Sequence, residues 1–218
     1  MNHPIVLAMT GASGAVYAIR LLQQLMIAKR SVHLVWSPSA ATVIAQELSL
    51  SLSNDLKTVN ELLKYRWPGL ENFWGDATDL DQLETPGQLV VHHYQDYMTP
   101  IASGSFMTSG MVLCPCSGAT MSGVVHAAGN NLIQRAADVH LKERRKLILV
   151  PRETPMSVFQ LENMHRAAQA GAIVLPAMPG WYHDVRSVVD LVDFVVARIL
   201  DHLDVSHQLM KRWGAKEA

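Results

Sequence analysis

Short apolar runs, each followed by a loop and then by a helix-periodic stretch, constrain the fold of this chain more than any other feature. Continuous runs of four or five apolar residues are typical of strands that are buried on both faces of a parallel sheet. We therefore predict strands near Ile5–Met9, Val32–Trp36, Met111–Cys114, Leu147–Val150 and Ile173–Leu175.

Helical periodicity follows each of these runs. The alternation of strand and helix predicts an α/β fold, a Rossmann-like doubly wound parallel sheet flanked by helices. In such folds, ligands bind at the carboxyl ends of the strands. The predicted helices lie near Ala15–Ala28, Ser39–Glu47, Ala119–His126, Leu132–Lys142, Ser157–Ala170 and Ser187–Leu203.

With 218 residues, 49% of them hydrophobic, the chain is long enough to bury one sizeable core. We predict a single domain over residues 1–218, with a variable segment at about 50–100 and a C-terminal tail at about 204–218. The variable segment carries turn signals around a possible short helix at Asn60–Arg66.

Charge and cysteine content narrow the partners and the compartment. A formal net charge of −1 gives no global field that would attract nucleic acid or an anionic membrane. Thr10 and Gly11 interrupt the first apolar stretch, which excludes the pattern of a secretory signal, and no apolar run reaches the length of a membrane span. Cys114 and Cys116 are too close in sequence to join distant segments, so we expect a reducing cytoplasm.

The loop Thr10–Ala15 follows the first predicted strand and opens a helix. Its small residues let backbone amides approach a ligand, and the helix dipole favours an anion there, although the segment could also be only a tight turn. The second strand ends in Trp36 and Ser37, not in the acidic residue that holds a nicotinamide ribose, so a mononucleotide is favoured.

A second loop of this kind runs from Cys114 to Thr120. Ser117 and Thr120 can cap the following helix, and they can also receive a phosphate. A zinc site at the two cysteines would need further ligands, and the histidines at 92, 93 and 126 form no recognisable set with them. We predict no metal site.

Cationic residues mark the second half of the chain. Arg135 and Lys142 stand seven residues apart on one helix face, where they could clamp an anion or, alternatively, both pair with Asp138. Arg198 follows apolar residues at i−7, i−4 and i−3, which places its guanidinium beside an apolar stripe. We expect its anion to be either a carboxylate or a phosphate.

Two further segments contribute polar side chains. Arg152 and Glu153 extend from a very apolar predicted strand toward the ligand crevice, with a mutual salt bridge as the alternative. Tyr182 follows a turn-rich loop after the last strand and could donate a hydrogen bond to an oxyanion, or only pack.

Taken together, these segments resemble the UbiX-like flavin prenyltransferases, which are related to the Pad-type proteins found beside aromatic-acid decarboxylases. The resemblance covers nearly the whole chain except about Leu50–Pro100. It rests on five motifs in order: Thr10–Ala15, Cys116–Thr120, Arg135–Asp138 continuing to Leu141–Arg145, Val150–Pro155, and Tyr182–His183.

The resemblance implies a flavoprotein fold, usually assembled as a dodecamer whose active sites form where subunits meet. It implies that dimethylallyl phosphate and reduced FMN give prenylated FMN, with new bonds at flavin N5 and C6, without a metal. The product would pass to a UbiD-like decarboxylase. By position, the family's flavin contacts fall on Gly11, Ala12, Ser13, Ser37, Ser117, Gly118, Ala119, Thr120 and Arg152, and its prenyl-phosphate contacts on Arg135, Lys142, Glu153, Tyr182 and Arg198.

The chemistry fits these residue types. Three fixed cations would stabilise the departing phosphate, Tyr182 would add a hydrogen bond, and Glu153 would move protons to the phosphate or from the flavin adduct. The resemblance also implies catalytic positions at Ser13 and at Trp213, whose ring face would stabilise an allyl cation. Two departures stand out: the segment near 50–100 is longer than usual, and Trp181 replaces an expected phenylalanine.

Three other functions compete with this one. A homologous flavoprotein could oxidatively decarboxylate a cysteine-containing substrate, but such relatives carry an Asn-containing motif where this chain has Pro176–Gly180. Direct decarboxylation of hydroxybenzoates would need an acid/base pair beyond the phosphate clamp. A non-catalytic flavin-binding subunit would need neither the cations nor Glu153.

Overall fold

A computed structural model describes residues 3–53, 56–74 and 87–210 of the chain. Six parallel strands form one sheet in the order β3-β2-β1-β4-β5-β6. The strands are β1 Ile5–Met9, β2 Val32–Trp36, β3 Leu89–His92, β4 Gly110–Cys116, β5 Leu147–Pro151 and β6 Ile173–Val174. The helices are α1 Ala15–Ile27, α2 Pro38–Leu48, α3 Leu56–Lys64, α4 Gly118–Val125, α5 Leu132–Lys142, α6 Val158–Gln169 and α7 Val188–His202.

The strand order confirms the predicted α/β doubly wound sheet. The chain leaves β1 toward β2 and β3, and then returns to place β4 against the other side of β1. Open α/β sheets bind ligands at such a reversal, beyond the carboxyl ends of the strands. The crevice of this sheet therefore lies above the ends of β1 and β4.

Alternating side chains of the central strands build two cores. Ile5, Leu7 and Met9 face one core with α1 and α7, whereas Val6 and Ala8 face the other with α4 and α5. Every residue of β1, β4 and β5 is buried, which explains why these strands appear as uninterrupted apolar runs in the sequence.

Sequence reasoning missed β3, the edge strand Leu89–His92. Only one of its four residues is buried, so its composition carries no strong apolar signal. The possible helix at Asn60–Arg66 is present, but it begins earlier, at Leu56.

The described part of the variable segment is anchored on α1 by Gln23. Its side-chain amide donates to the carbonyls of Leu63 at 3.0 Å and Tyr65 at 2.9 Å, and its carbonyl accepts the indole N–H of Trp74 at 2.9 Å. Gln23 and Trp74 are both fully buried, so the polar contacts satisfy groups that would otherwise be costly to bury. None of the described helices has the length and apolarity needed to cross a membrane.

Candidate active site

The first loop of the site, Thr10–Gly14, connects the end of β1 to α1, and its backbone passes very close to Ser39. A β-carbon added at Gly11 would come within 2.5 Å of the Ser39 β-carbon, and Gly14 has a φ of +104°. Both positions therefore favour glycine. The chain turns tightly here and presents Ala12 and Ser13 at the carboxyl edge of the sheet.

Glu47 is a carboxylate at this loop that sequence reasoning missed. Its oxygens accept hydrogen bonds from the backbone amides of Gly14 at 3.0 Å and Ala15 at 2.9 Å. A carboxylate at the start of a helix is favoured by the helix dipole. Glu47 comes more than thirty residues after the loop, near the end of α2, and only its type distinguishes it in the sequence.

Hydrogen bonds bring the loops after β2 and β4 against the end of β1. The Ser37 amide donates to the Met9 carbonyl at 3.0 Å, and the Ser117 amide donates to the Thr10 hydroxyl at 2.7 Å. Ser37 and Ser117 are also helix caps, since each side-chain oxygen accepts an amide three residues later. The residues predicted to contact flavin in these three loops thus lie along one edge of the sheet.

Arg152 and Glu153 follow β5 and join the same edge. The Arg152 guanidinium donates to the Ser13 carbonyl at 3.1 Å, which ties the β5 end to the first loop. The Glu153 carboxylate accepts from the Gln160 side chain at 3.2 Å and from the Thr154 amide at 3.2 Å. These contacts differ from the mutual salt bridge that sequence reasoning kept as the alternative.

An open groove of about 660 Å³ lies beside Glu153, between the start of α4 and the start of α6. Gln160 forms one wall and packs against Gly118, where an added β-carbon would stand 3.1 Å from the Gln160 amide nitrogen. The groove is lined by Gly118, Ala119, Ser122, Glu153, Pro155, Met156, Ser157, Phe159, Gln160 and Asn163.

The two cations of α5 have separate local partners. Arg135 donates to Asp138 at 3.0 Å and to the Ala102 carbonyl at 3.1 Å. Lys142 instead pairs with its neighbour Glu143. The alternative in which Asp138 pairs with both cations is therefore wrong, because Lys142 ends the helix and reaches the next residue.

Arg198 and Tyr182 lie on one exposed patch of α7 and its preceding loop. The Tyr182 ring meets Phe194 edge-on, with ring centroids 5.8 Å apart, and Arg198 follows Phe194 by one helical turn. Arg198 pairs with Asp201 at 2.9 Å, and its side chain is 48% exposed. The carboxylate that was expected as one possible anion for this guanidinium is therefore present, and Arg198 is exposed although Val195, one turn earlier, is buried.

Arg198 and Lys142 lie far from the loops of the same chain that were predicted to contact flavin. We call these loops, at residues 10–14, 37, 117–120 and 152, the flavin loops. Arg198 lies ten residues after the first residue of α7, about 15 Å along the helix axis at 1.5 Å per residue. The end of α7 meets the amino end of the sheet, where Asp204 pairs with Lys146 just before β5. Lys142 also lies shortly before β5. Both cations are thus near the edge opposite Ser13 and Glu153.

The two cysteines lie in β4 beneath the site. Burial raises the pKa of Cys114, and it raises the pKa of Cys116 to about 12. Both are therefore neutral thiols near neutral pH. Within residues 3–53, 56–74 and 87–210, no three side chains of His, Cys, Asp or Glu come together as metal ligands. Trp213 lies outside the described residues, so its role stays a prediction.

Comparison with known proteins decides the family. Residues 1–200 match the family model of flavoproteins. The flavin prenyltransferase UbiX of Pseudomonas aeruginosa is 47% identical over 210 residues, which are 96% of this chain and 93% of that protein. This chain belongs to the UbiX family of flavin prenyltransferases.

Two solved UbiX-like structures share the architecture. AnUbiX (PadA1), solved with FMN and dimethylallyl pyrophosphate, superposes with a TM-score of 0.78 at 35% identity and full coverage of both chains. A dodecameric FMN-dependent UbiX-like decarboxylase from Escherichia coli O157:H7 gives a TM-score of 0.79 at 36% identity, covering 97% of this chain and 100% of that chain. The predicted fold and family are confirmed.

Proposed function

We propose that this protein transfers a dimethylallyl group from dimethylallyl phosphate to reduced FMN. The allylic C–O bond breaks, inorganic phosphate leaves with its electron pair, and flavin N5 bonds to the freed allylic carbon. The double bond then takes up a proton at its central carbon, which leaves a tertiary cation that flavin C6 attacks. N5 and C6 each release one proton; one balances the proton added to the double bond and the other is taken up by the phosphate, so no oxidant is required. The observation that carries the proposal is the meeting of four loops, after β1, β2, β4 and β5, at one edge of a UbiX-family sheet.

The flavin loops supply the FMN contacts. Backbone and hydroxyl groups of Gly11 to Ser13, Ser37 and Ser117 to Thr120 suit an uncharged ring and a phosphate, while Arg152 adds positive charge. AnUbiX (PadA1) was solved with FMN, which supports this ligand for a chain 35% identical to it. We propose that FMN lies along this edge, with Ser13 beside the reacting part of the ring.

The prenyl phosphate meets cations from neighbouring subunits. Lys142 and Arg198 lie near the opposite end of their own chain, so they reach a flavin only in an assembly. The dodecameric relative from Escherichia coli supports such a homo-oligomer. Each of these cations is at least two-fifths exposed, and exposed ion pairs contribute little, so a phosphate dianion can replace their local carboxylates.

Two carboxylates divide the proton transfers. Glu153 is held by Gln160 and the Thr154 amide, and we propose that it carries a proton to the departing phosphate. Glu47 is held at the first loop, next to Ser13, and we propose that it accepts a proton released from the flavin side. Tyr182 donates a further hydrogen bond to the phosphate.

The product serves another enzyme under this proposal. Prenylated FMN made in the cytoplasm would pass to a UbiD-like decarboxylase, which would use it as a cofactor. The Escherichia coli relative is described as an FMN-dependent decarboxylase, so direct decarboxylation of an aromatic acid is the second candidate.

Mass spectrometry of the released flavin tests the proposal. The protein is incubated anaerobically with reduced FMN and dimethylallyl phosphate, in parallel with the diphosphate and with a hydroxybenzoate. A flavin heavier by one C5H8 unit with the monophosphate supports the proposal. Unmodified FMN together with carbon dioxide release from the hydroxybenzoate would favour decarboxylation instead.

A further inference from the structure

The ladder between β1 and β4 stops short of the flavin loops. Its register runs from Ile5 opposite Gly110 to Ala8 opposite Leu113. Pro115 follows in β4 and has no amide hydrogen, so it cannot donate to a neighbouring strand. The pairing of β4 with β5 also shifts between Leu113 and Cys116. Another group must hold the end of β4 against β1.

Thr10 supplies that group. Its amide donates to the Pro115 carbonyl at 3.2 Å, and its hydroxyl donates to the same carbonyl at 2.7 Å. The hydroxyl also accepts the amide of Ser117 at 2.7 Å. Thr10 is only 1% exposed, so these bonds form away from water. One buried hydroxyl thus joins segments more than a hundred residues apart.

The end of β1 also holds the loop that follows β2. Met9, the neighbour of Thr10, accepts the amide of Ser37 through its carbonyl at 3.0 Å. The last residue of β1 and the residue that follows it therefore hold both flanking flavin loops. Of the two contacts, only the one through Thr10 depends on a side chain and can be removed by substitution.

The Thr10 hydroxyl also determines which amides at the start of α4 remain for a ligand. Thr10 occupies the Ser117 amide, and the Ser117 side chain occupies the Thr120 amide at 3.3 Å. The amides of Gly118 and Ala119 lie between them, in the first turn of α4. The orientation of this turn is set by the bond from Ser117 to Thr10.

We propose that Thr10 is a positioning residue for flavin binding: its buried hydroxyl fixes the start of α4 against the first loop and thereby sets the affinity for FMN. It does not touch the reacting atoms. The inference rests on the proposed function only in taking FMN as the ligand, and it requires no prenyl transfer.

Titration of the full-length oligomer with FMN, followed by flavin fluorescence, tests this inference. Thr10→Val keeps the shape but removes the hydroxyl, leaving the partly buried Ser117 amide without its partner, and should weaken FMN binding about tenfold. Thr10→Ser restores the hydroxyl and should bind within about threefold of wild type. Thr108→Val is the matched control, since Thr108 is also buried and its hydroxyl contacts His140 at 2.8 Å, away from the flavin loops.

The control separates positioning from general stability. We expect Thr108→Val to lower the melting temperature while leaving FMN affinity unchanged. Thr10→Val should raise the KM for FMN more than it lowers kcat. Should Thr10→Val fail to fold, Thr10→Cys, which keeps only a weak donor, replaces it with an expected loss of severalfold in affinity.

Two outcomes are distinguishable. The role of Thr10 would be overturned if Thr10→Val bound FMN as tightly as wild type. It would also be overturned if Thr10→Ser and Thr108→Val lost as much FMN affinity as Thr10→Val. Either result would count even if the wild type prenylates FMN. A selective loss of FMN affinity in Thr10→Val supports it, even if the mass of the wild-type flavin never increases and the proposed transfer is abandoned.

Discussion

The flavin loops and the cation set are held in place by different kinds of contact. The flavin loops at residues 10–14, 37, 117–120 and 152 are joined by hydrogen bonds between distant parts of one chain, of which the bond from the Thr10 hydroxyl to Pro115 is buried and that from the Ser117 amide to Thr10 is partly buried. The cation set, Arg135, Lys142 and Arg198, is partly or largely exposed, and each member pairs with a carboxylate at most three residues away. Under the proposed function, one chain completes the flavin half of the site, whereas the phosphate half depends on neighbours.

This contrast follows from what each ligand requires. A flavin binds in a fixed shape that buried, paired groups can preorganise. A phosphate is drawn by charge, and three cations close together in one chain would repel one another before it binds. Cations spread over several subunits meet only where the assembly joins them.

The largest expected effect is that of Glu153→Gln, which breaks the chemistry and spares the flavin half. Loss of a proton-transferring group typically lowers rates by about 100-fold to 10,000-fold, so we expect kcat for prenyl transfer to fall by at least about 100-fold. FMN affinity should stay unchanged in a fluorescence titration. Glu162→Gln, an exposed carboxylate on α6, is the control and should keep full activity.

Arg198→Ala tests the phosphate half of the site. Loss of one charge-assisted phosphate contact should lower kcat/KM for dimethylallyl phosphate by about 10-fold to 100-fold. Removal of its exposed ion pair should change the unfolding free energy by less than about 1 kcal/mol. Arg186→Ala removes a comparable exposed pair, with Asp184, and should leave turnover intact; equal losses in both variants would remove Arg198 from the site.

Ser117→Ala should weaken FMN binding about fivefold, since one hydroxyl contact is lost. It should also destabilise α4 by about 1 kcal/mol, because Ser117 caps that helix. Ser157→Ala removes the same kind of cap from α6, which borders the groove beside Glu153 but contributes none of the flavin loops. Calorimetry should show similar stability losses for the two variants, and a matching loss of FMN affinity in Ser157→Ala would argue that capping alone matters.

The smallest effect concerns pH and the helix that carries two cations. Burial lowers the pKa of His140 from 6.5 to about 4, while its hydrogen bond to Ala136 opposes the shift and Arg145 adds to it. Because the unfolded chain takes up the proton first, stability is lost as pH falls from about 6.5 toward 4. His140→Gln should reduce the loss between pH 7 and pH 5 by on the order of 2 kcal/mol in urea titrations. An unchanged pH dependence would contradict a neutral, buried His140.

Much of the fold was predictable because the central strands are buried on both faces and therefore appear as apolar runs. The edge strand β3 was missed since three of its four residues are not fully buried. Ser117 was recognisable because a helix cap has a local signature, whereas Ser37 was identified from the resemblance alone. The predicted flavin residues that lie in the described loops come together at one edge, as expected of strand ends in a parallel sheet.

Contacts between distant residues were not predictable from one sequence. Nothing local marks Glu47 as the carboxylate at the first loop, or Thr10 as the link to Ser117. Arg198 shows the limit of helix spacing, because apolar neighbours at i−3 and i−4 do not decide which way a long side chain points. Its exposure became evident only from the packing of α7.

Mixing two impaired variants tests most directly whether neighbouring chains share one site. Glu153→Gln and Arg198→Ala subunits are co-expressed in equal amounts, the oligomer is purified, and prenylated FMN is measured. If Glu153 and Arg198 at each site come from different chains, random assembly pairs two intact residues in about a quarter of the sites, and activity should recover to about that fraction of wild type. Activity no higher than that of either variant alone would show that the two residues act within one chain and would contradict the division of the site between subunits.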